Sequence, residues 1–194
     1  MLSEAKHPSP AFNLFVDSLR ELWSEALPAE EHWSKVAELM RPLLADQDLK
    51  ARSEAWPVTA ATNLLFHEDA DHGFVINAVV REPGRTGAVH DHAHTWTAYG
   101  ELVGRESIAR YERIDDGSRE GYAELRPAGV IDAQAGMVDV VQPWLVHSET
   151  SLDQRAVAII VRSQKLGSFQ QNHFDPETHK VTQGPGPTPI PYSP

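Results

Sequence analysis

The chain has 194 residues, 41% hydrophobic and 23% charged, with no cysteine and a formal net charge of −11. That length suits one domain with a core large enough to do without disulfide staples, and the missing cysteines remove thiolate ligands and nucleophiles as well. The acidity argues against a nucleic-acid or anionic-membrane surface, which needs clustered Lys and Arg, and no apolar run reaches the ~18 residues of a membrane helix.

The N-terminus "MLSEAKHPSPAF" lacks the basic-then-apolar order of a secretory signal, so a cytoplasmic protein is expected. Residues 9 to about 52 read as helical. Ser9 is a candidate N-cap with Pro10 at the first helical position. Phe12, Phe15, Leu19, Leu22 and Trp23 then recur at three- and four-residue steps until Pro28. "PAEEHWSKVAELMRPLLAD" restarts the pattern, with Trp33, Val36, Ala37, Met40, Leu43 and Leu44 on one side. Two helices packing on the rest of the domain explain these stripes.

From about residue 58 the texture changes to short β-rich runs separated by turn signals such as "HEDADHG", "REPGRTG" and "RIDDGSREG". Strands are predicted at 62–67, 74–81, 88–92, 95–103, 106–113, 121–126, 137–142 and 155–163. Many short strands with close turns suggest a closed or double-sheet all-β body. The divisions are therefore an N-terminal helical segment, 1–57, a β-barrel, 58–182, and a Pro-rich tail, 183–194. The tail carries five prolines in its last ten residues. It is excluded from helix and from any central strand, leaving a surface strap or a disordered end.

Residues 90–97 read "HDHAHTWT". Alternate residues of a strand share a face, so His90 and His92 project together and can chelate one divalent ion. His94 continues the alternation. A turn after His92 would swing it away, and it is expected to contact substrate or support the site rather than ligate. Asp91, of opposite parity, is read as a surface or structural acceptor, and His173 and His179 as solvated.

The run G-x5-H-x-H with a later glycine (Gly84, His90, His92, Gly104) resembles the first motif of the cupin superfamily. "GMVDVVQPWLVHSET" resembles the second, through Gly136, Pro143 and His147, with Trp144-Leu145 standing where a glycine is usual. The resemblance implies a mainly β fold, a cupin jelly-roll barrel (double-stranded β-helix), here preceded by a helical pair. Cupins commonly carry a glutamate ligand four or five residues after the second histidine. Those positions are Trp96 and Thr97, so a three-histidine site is expected, His90, His92 and His147, holding Fe(II), with zinc or nickel as fitting substitutes.

Within that superfamily the chain resembles the cysteine dioxygenase family of thiol dioxygenases. The closest look is to its bacterial branch, which includes 3-mercaptopropionate dioxygenases. The stretch "TNLLFHEDADHGFVINAVVREPGRTGAVHDHAHTWTAYGELVGRE" and the closing "NHFDPETHKVT" carry the likeness. The resemblance implies a small thiol, with or without a carboxylate, oxidised by O2 to a sulfinate. The chain departs from that family at three places. Thr62 stands where an arginine usually pairs with the substrate carboxylate. Ala158, Ile160 and Arg162 stand where a Ser-His-Tyr relay is usual, and Thr97 where some members have a cysteine.

Strand parity aims Arg162 into the barrel, where an unpaired guanidinium needs an anion. It is expected to bind either a substrate carboxylate or Glu101, which shares the parity of Thr97 and Tyr99. Tyr99, Trp96 and Trp144 are candidate pocket walls, with the Tyr99 hydroxyl able to hold an oxygen species or donate a proton. The departures keep other classes open: a cupin oxygenase or metal-dependent lyase acting on an oxygen-chelating molecule, or a binding protein without turnover. The oligomeric state is open, a homo-oligomer included.

Overall fold

The computed structural model of the protein describes residues 7–58 and 62–194. Three helices come first: α1 (Pro10–Trp23), α2 (Ala29–Ala45) and α3 (Gln47–Ser53). Ser9 caps α1 as expected, its hydroxyl accepting from the Phe12 amide at 3.2 Å. Asp46 caps the third helix, which the sequence reading merged with the second, by accepting from the Leu49 amide at 2.7 Å.

Twelve strands follow: β1 (Thr62–Glu68), β2 (Val75–Arg81), β3 (Val89–His90), β4 (Thr97–Val103), β5 (Arg105–Arg113), β6 (Leu125–Gln134), β7 (Val138–Val141), β8 (Val146–Ser151), β9 (Ala156–Arg162), β10 (Gln171–Phe174), β11 (Val181–Gly184) and β12 (Thr188–Pro191). They form two six-stranded sheets, ordered β12-β1-β2-β9-β4-β7 and β11-β10-β3-β8-β5-β6. The strands from β2 to β9 are thus dealt between two sheets as 2-9-4-7 and 3-8-5-6. That order is a jelly roll, the double-stranded β-helix expected.

The first sheet is covered on both faces. Ala98 and Leu102 of β4 and Val157, Ile159 and Val161 of β9 join Phe12, Leu19, Met40 and Leu44 of the helices in one core. Gly100 permits this approach, because a Cβ there would lie 2.8 Å from both Leu44 Cδ1 and Met40 Cε. The alternate residues, Thr97, Tyr99, Glu101, Ala158, Ile160 and Arg162, are buried on the barrel side. Gly104 turns β4 into β5 with φ of +94°, and a Cβ would stand 2.5 Å from the Arg155 carbonyl oxygen.

Several expectations are corrected. The strand predicted at 121–126 is Leu125–Gln134 instead. Pro127 and Gly129 hid it from pattern reading, and a register shift between Arg110 and Tyr111 of β5 accommodates them. The strand expected at 88–92 is only Val89–His90. The polar strand β8, "VHSETS", was not expected at all, nor were β10 and β11. The tail supplies β12, an edge strand beside β1, which is where prolines are tolerated. Among the described residues no helix is long and apolar enough to cross a membrane.

Candidate metal centre

The three expected histidines converge. His90 and His147 are direct partners across β3 and β8, and one ring nitrogen from each of His90, His92 and His147 lies within 4.8 Å of the others. His90 Nε2 is 3.2 Å from His92 Nε2. His90 Nδ1 lies 2.9 Å from the Ala88 carbonyl oxygen and His147 Nδ1 lies 3.0 Å from that of Leu145. A carbonyl oxygen only accepts, so both Nδ1 atoms carry protons. In the neutral rings this leaves the Nε2 lone pairs turned toward each other. His147 Nε2 is buried without a hydrogen-bond partner. With both Nδ1 protons committed to carbonyls, His90 and His147 turn Nε2 lone pairs inward beside His92, a donor set that fits a bound divalent metal.

Two strained turns set this convergence. Ala93, directly after His92, has φ of +50°, and Trp144, three residues before His147, has φ of +63°. The Trp144 amide donates to the Ala93 carbonyl at 2.7 Å, tying the two turns together. Trp144 has the left-handed backbone that favours glycine, and it is 59% exposed, not a pocket wall. The turn at Ala93 also removes His94 from the centre. His94 is exposed, with Nε2 3.2 Å from Gln164 Oε1. Asp91 is buried and structural, accepting from the Ala93 amide, the Asn172 amide and Asn172 Nδ2. Trp96 stacks on Trp33 in the helix-covered core. His173 is no solvated bystander, since it pairs with His90 across β3 and β10 and lines the same cavity.

That cavity has a volume of about 760 Å³ and is lined by His90, His173, Tyr99, Glu149, Arg81 and Arg162, with Pro185–Pro187 of the tail at its wall. Its size suits a small-molecule ligand. Arg162 is 5% exposed, its Nη1 donates to Thr97 Oγ1 at 3.3 Å, and its Nε has no partner. Burial lowers its pKa to about 10. Glu101 is not its partner: Arg162 is opposite Thr97, while Glu101 is opposite Ala158, four residues along the strand or ~13 Å away. Burial and the nearby Glu106 push the Glu101 carboxyl up to about 9, so it is neutral. Thr62 opens β1; its side chain lies outside the described residues.

Tyr99 reaches the cavity, but its hydroxyl is engaged. It donates to Glu106 Oε2 at 2.5 Å and accepts from Arg81 Nη1 at 2.5 Å. Arg81 also holds Glu106 Oε1 at 2.9 Å and lies 3.4 Å from Glu149 Oε2. Arg81, Glu106 and Glu149 were missed by sequence reading, although Glu149 is two residues from His147 on one strand and shares its face. Burial alone would raise Glu149, but the Arg81 guanidinium holds it well below the usual carboxylate range.

The histidines give the metal-free protein a pH signature. Burial lowers His90 to about 4 and His92 well below its ordinary value. The unfolded rings titrate near ~6.5. Between those values the unfolded chain binds more protons, so stability falls as pH drops through this window. Urea unfolding of chelator-stripped protein is expected to show His90 costing on the order of 2 kcal/mol from pH 7 to pH 4.5. A His90→Asn protein with the same slope would refute this.

No family model and no curated protein matches the chain. Solved structures do. One is an uncharacterized conserved protein with a double-stranded β-helix domain from Klebsiella pneumoniae, 16% identical over 57% of this chain and 79% of that one, TM-score 0.42. A cupin-2 domain containing protein from Shewanella frigidimarina is 17% identical over 62% of this chain and 95% of that one, TM-score 0.41. An oxalate oxidase is 18% identical over 47% of this chain and 42% of that one, TM-score 0.38. The likeness is one of fold. The strand order within the chain itself is what establishes that fold, and chemistry has to be argued from the side chains.

Proposed function

We propose that the protein is a metal-dependent cupin enzyme, a mononuclear Fe(II) dioxygenase that oxidises a small thiol bearing a carboxylate to its sulfinate. The observation that carries this reading is the convergence of three imidazoles, one of which, His90, lines a cavity together with the buried guanidinium of Arg162, whose Nε has no hydrogen-bond partner. His90, His92 and His147 would hold the metal, which would supply electrons to O2 and a seat for sulfur beside it. Arg162 binds the carboxylate and sets the reach of the thiol. The reaction balances without another reductant: both oxygens of O2 end on sulfur, sulfur gives up four electrons, O2 accepts four, and the thiol proton leaves to solvent.

A second reading, an oxygenase or lyase acting on a substrate that chelates metal through oxygen, is favoured by one observation. Ala158 and Ile160, facing the barrel, leave no proton relay on β9. Oxygen consumption by anaerobically Fe(II)-loaded protein, across small thiols with and without carboxylates, separates the two. Uptake matched one-to-one by sulfinate, greatest for a thiol carboxylate, is the expected result. Tightly held iron with no uptake for any thiol would move the function to the second reading.

A further inference from the structure

The sequence predicted a centre of three neutral imidazoles, because the positions that usually carry a carboxylate hold Trp96 and Thr97. The fold supplies a carboxylate from another strand. Glu149 lies two residues after His147 on β8, so both side chains enter the barrel. Glu149 Oε1 is 3.4 Å from His147 Nε2. We propose that Glu149 is a fourth protein ligand of the metal, binding through Oε1 while Arg81 holds Oε2. This rests on the metal-site reading above.

The argument is one of unlike partners. The Nδ1 proton of His147 points to the Leu145 carbonyl, so a neutral ring turns its Nε2 lone pair toward a carboxylate oxygen. Two acceptors in a dry pocket repel unless a positive charge lies between them. A proton on His147 would serve, but Nε2 of His90, with its own proton also on Nδ1, faces the same point. One metal ion serves the lone pairs of both rings and the carboxylate oxygen together. The spacing between His147 Nε2 and Glu149 Oε1 agrees, since two ligand atoms at ~2.1 Å from a tetrahedral ion are about 3.4 Å apart.

The other end of the carboxylate is anchored. Arg81 Nη2 is 3.4 Å from Glu149 Oε2, and Nη1 of the same guanidinium is fixed by Tyr99 and Glu106. Arg81 is therefore a positioning residue: it orients the carboxylate so that one oxygen remains for the ion. A carboxylate ligand makes the loaded centre less positive by one charge than three imidazoles would. It also hardens the donor set, favouring Fe(II) or Mn(II) more than an all-nitrogen site does.

The test is zinc and cobalt binding by the full chain, read without turnover. Zinc affinity from chelator competition is expected to fall in Glu149→Gln by more than the roughly ten- to a hundredfold that loss of an outer supporting group costs. The visible spectrum of the Co(II) protein is expected to change in band position and intensity as the ligand set changes. Infrared difference spectra of the wild type on zinc addition are expected to show carboxylate bands shifting, and the shift to be lost in the variant. The infrared arm needs only the wild type, so it stands even if Glu149→Gln folds poorly. Unchanged affinity and Co(II) spectrum in Glu149→Gln, or no carboxylate shift in a wild type that binds zinc, would reduce Glu149 to a salt-bridge partner and overturn the proposal while leaving the three-histidine site intact. A wild type that takes up no metal would overturn both.

Discussion

The His147→Ala protein is expected to fold and to lose its metal. His147 and His90 face each other across adjacent strands, so removing one leaves His90 and His92 without the donor that closes the set. Loss of a ligand should exceed the 10–100-fold that removal of an outer supporting group typically costs. A drop in zinc affinity of about a thousandfold or more is therefore expected, with oxygen uptake abolished. Folding should survive, because β8 is held by its ladders to β3 and β5 and not by the imidazole. Metal content after dialysis and the Tm of the chelator-stripped protein check both halves. Near-stoichiometric metal in the variant would exclude His147 as a ligand. A stripped variant that no longer melts cooperatively would show that the imidazole serves the fold instead.

The legible parts of this chain were those where one physical pattern acts alone. The helix stripes from Phe12 to Leu44 were readable because a single apolar face meets a single sheet. The alternation of His90 and His92 was readable because strand parity is a local property. What failed to show was where two demands compete. The strand β8 escaped because "VHSETS" puts His147 and Glu149 where an ordinary strand would bury apolar side chains. A functional site is a place where local preference and fold disagree, so a polar stretch near a motif is a poor guide to loop. For His94 the alternation and a turn after His92 pointed opposite ways, and the positive φ of Ala93 is the turn. Arg81 and Glu106 were invisible for a different reason: they meet only through the closure of the barrel, across sheets, and no local spacing encodes that.

The partner of Arg162 was the one question the sequence posed and left balanced, and the geometry removes one answer. With Glu101 out of reach and neutral, the guanidinium has Thr97 Oγ1 as its hydrogen-bond acceptor and an unpaired Nε, in the wall of the cavity that His90 also lines. Glu149 stabilises this charge through space but its Oε2 faces Arg81, so a ligand carboxylate would supply the hydrogen-bonded anion that the buried guanidinium does not have. In Arg162→Met, then, two measurements should move in opposite directions. Stability of the ligand-free protein should hold or rise, since a buried charge with no hydrogen-bonded carboxylate is replaced by an apolar chain of similar length. The kcat/KM for a thiol carboxylate should fall by roughly thirtyfold or more, the equivalent of the ~2 kcal/mol lower bound for truncating a buried charged hydrogen-bonding partner. The loss should appear mainly in KM, and a thiol lacking the carboxylate should be little affected, because Arg162 has nothing to bind there. If both thiols lose equally, Arg162 acts on the metal centre or the barrel rather than on substrate. If neither loses and the protein melts at lower temperature, the guanidinium belongs to the fold, and the acidic-substrate reading falls with it.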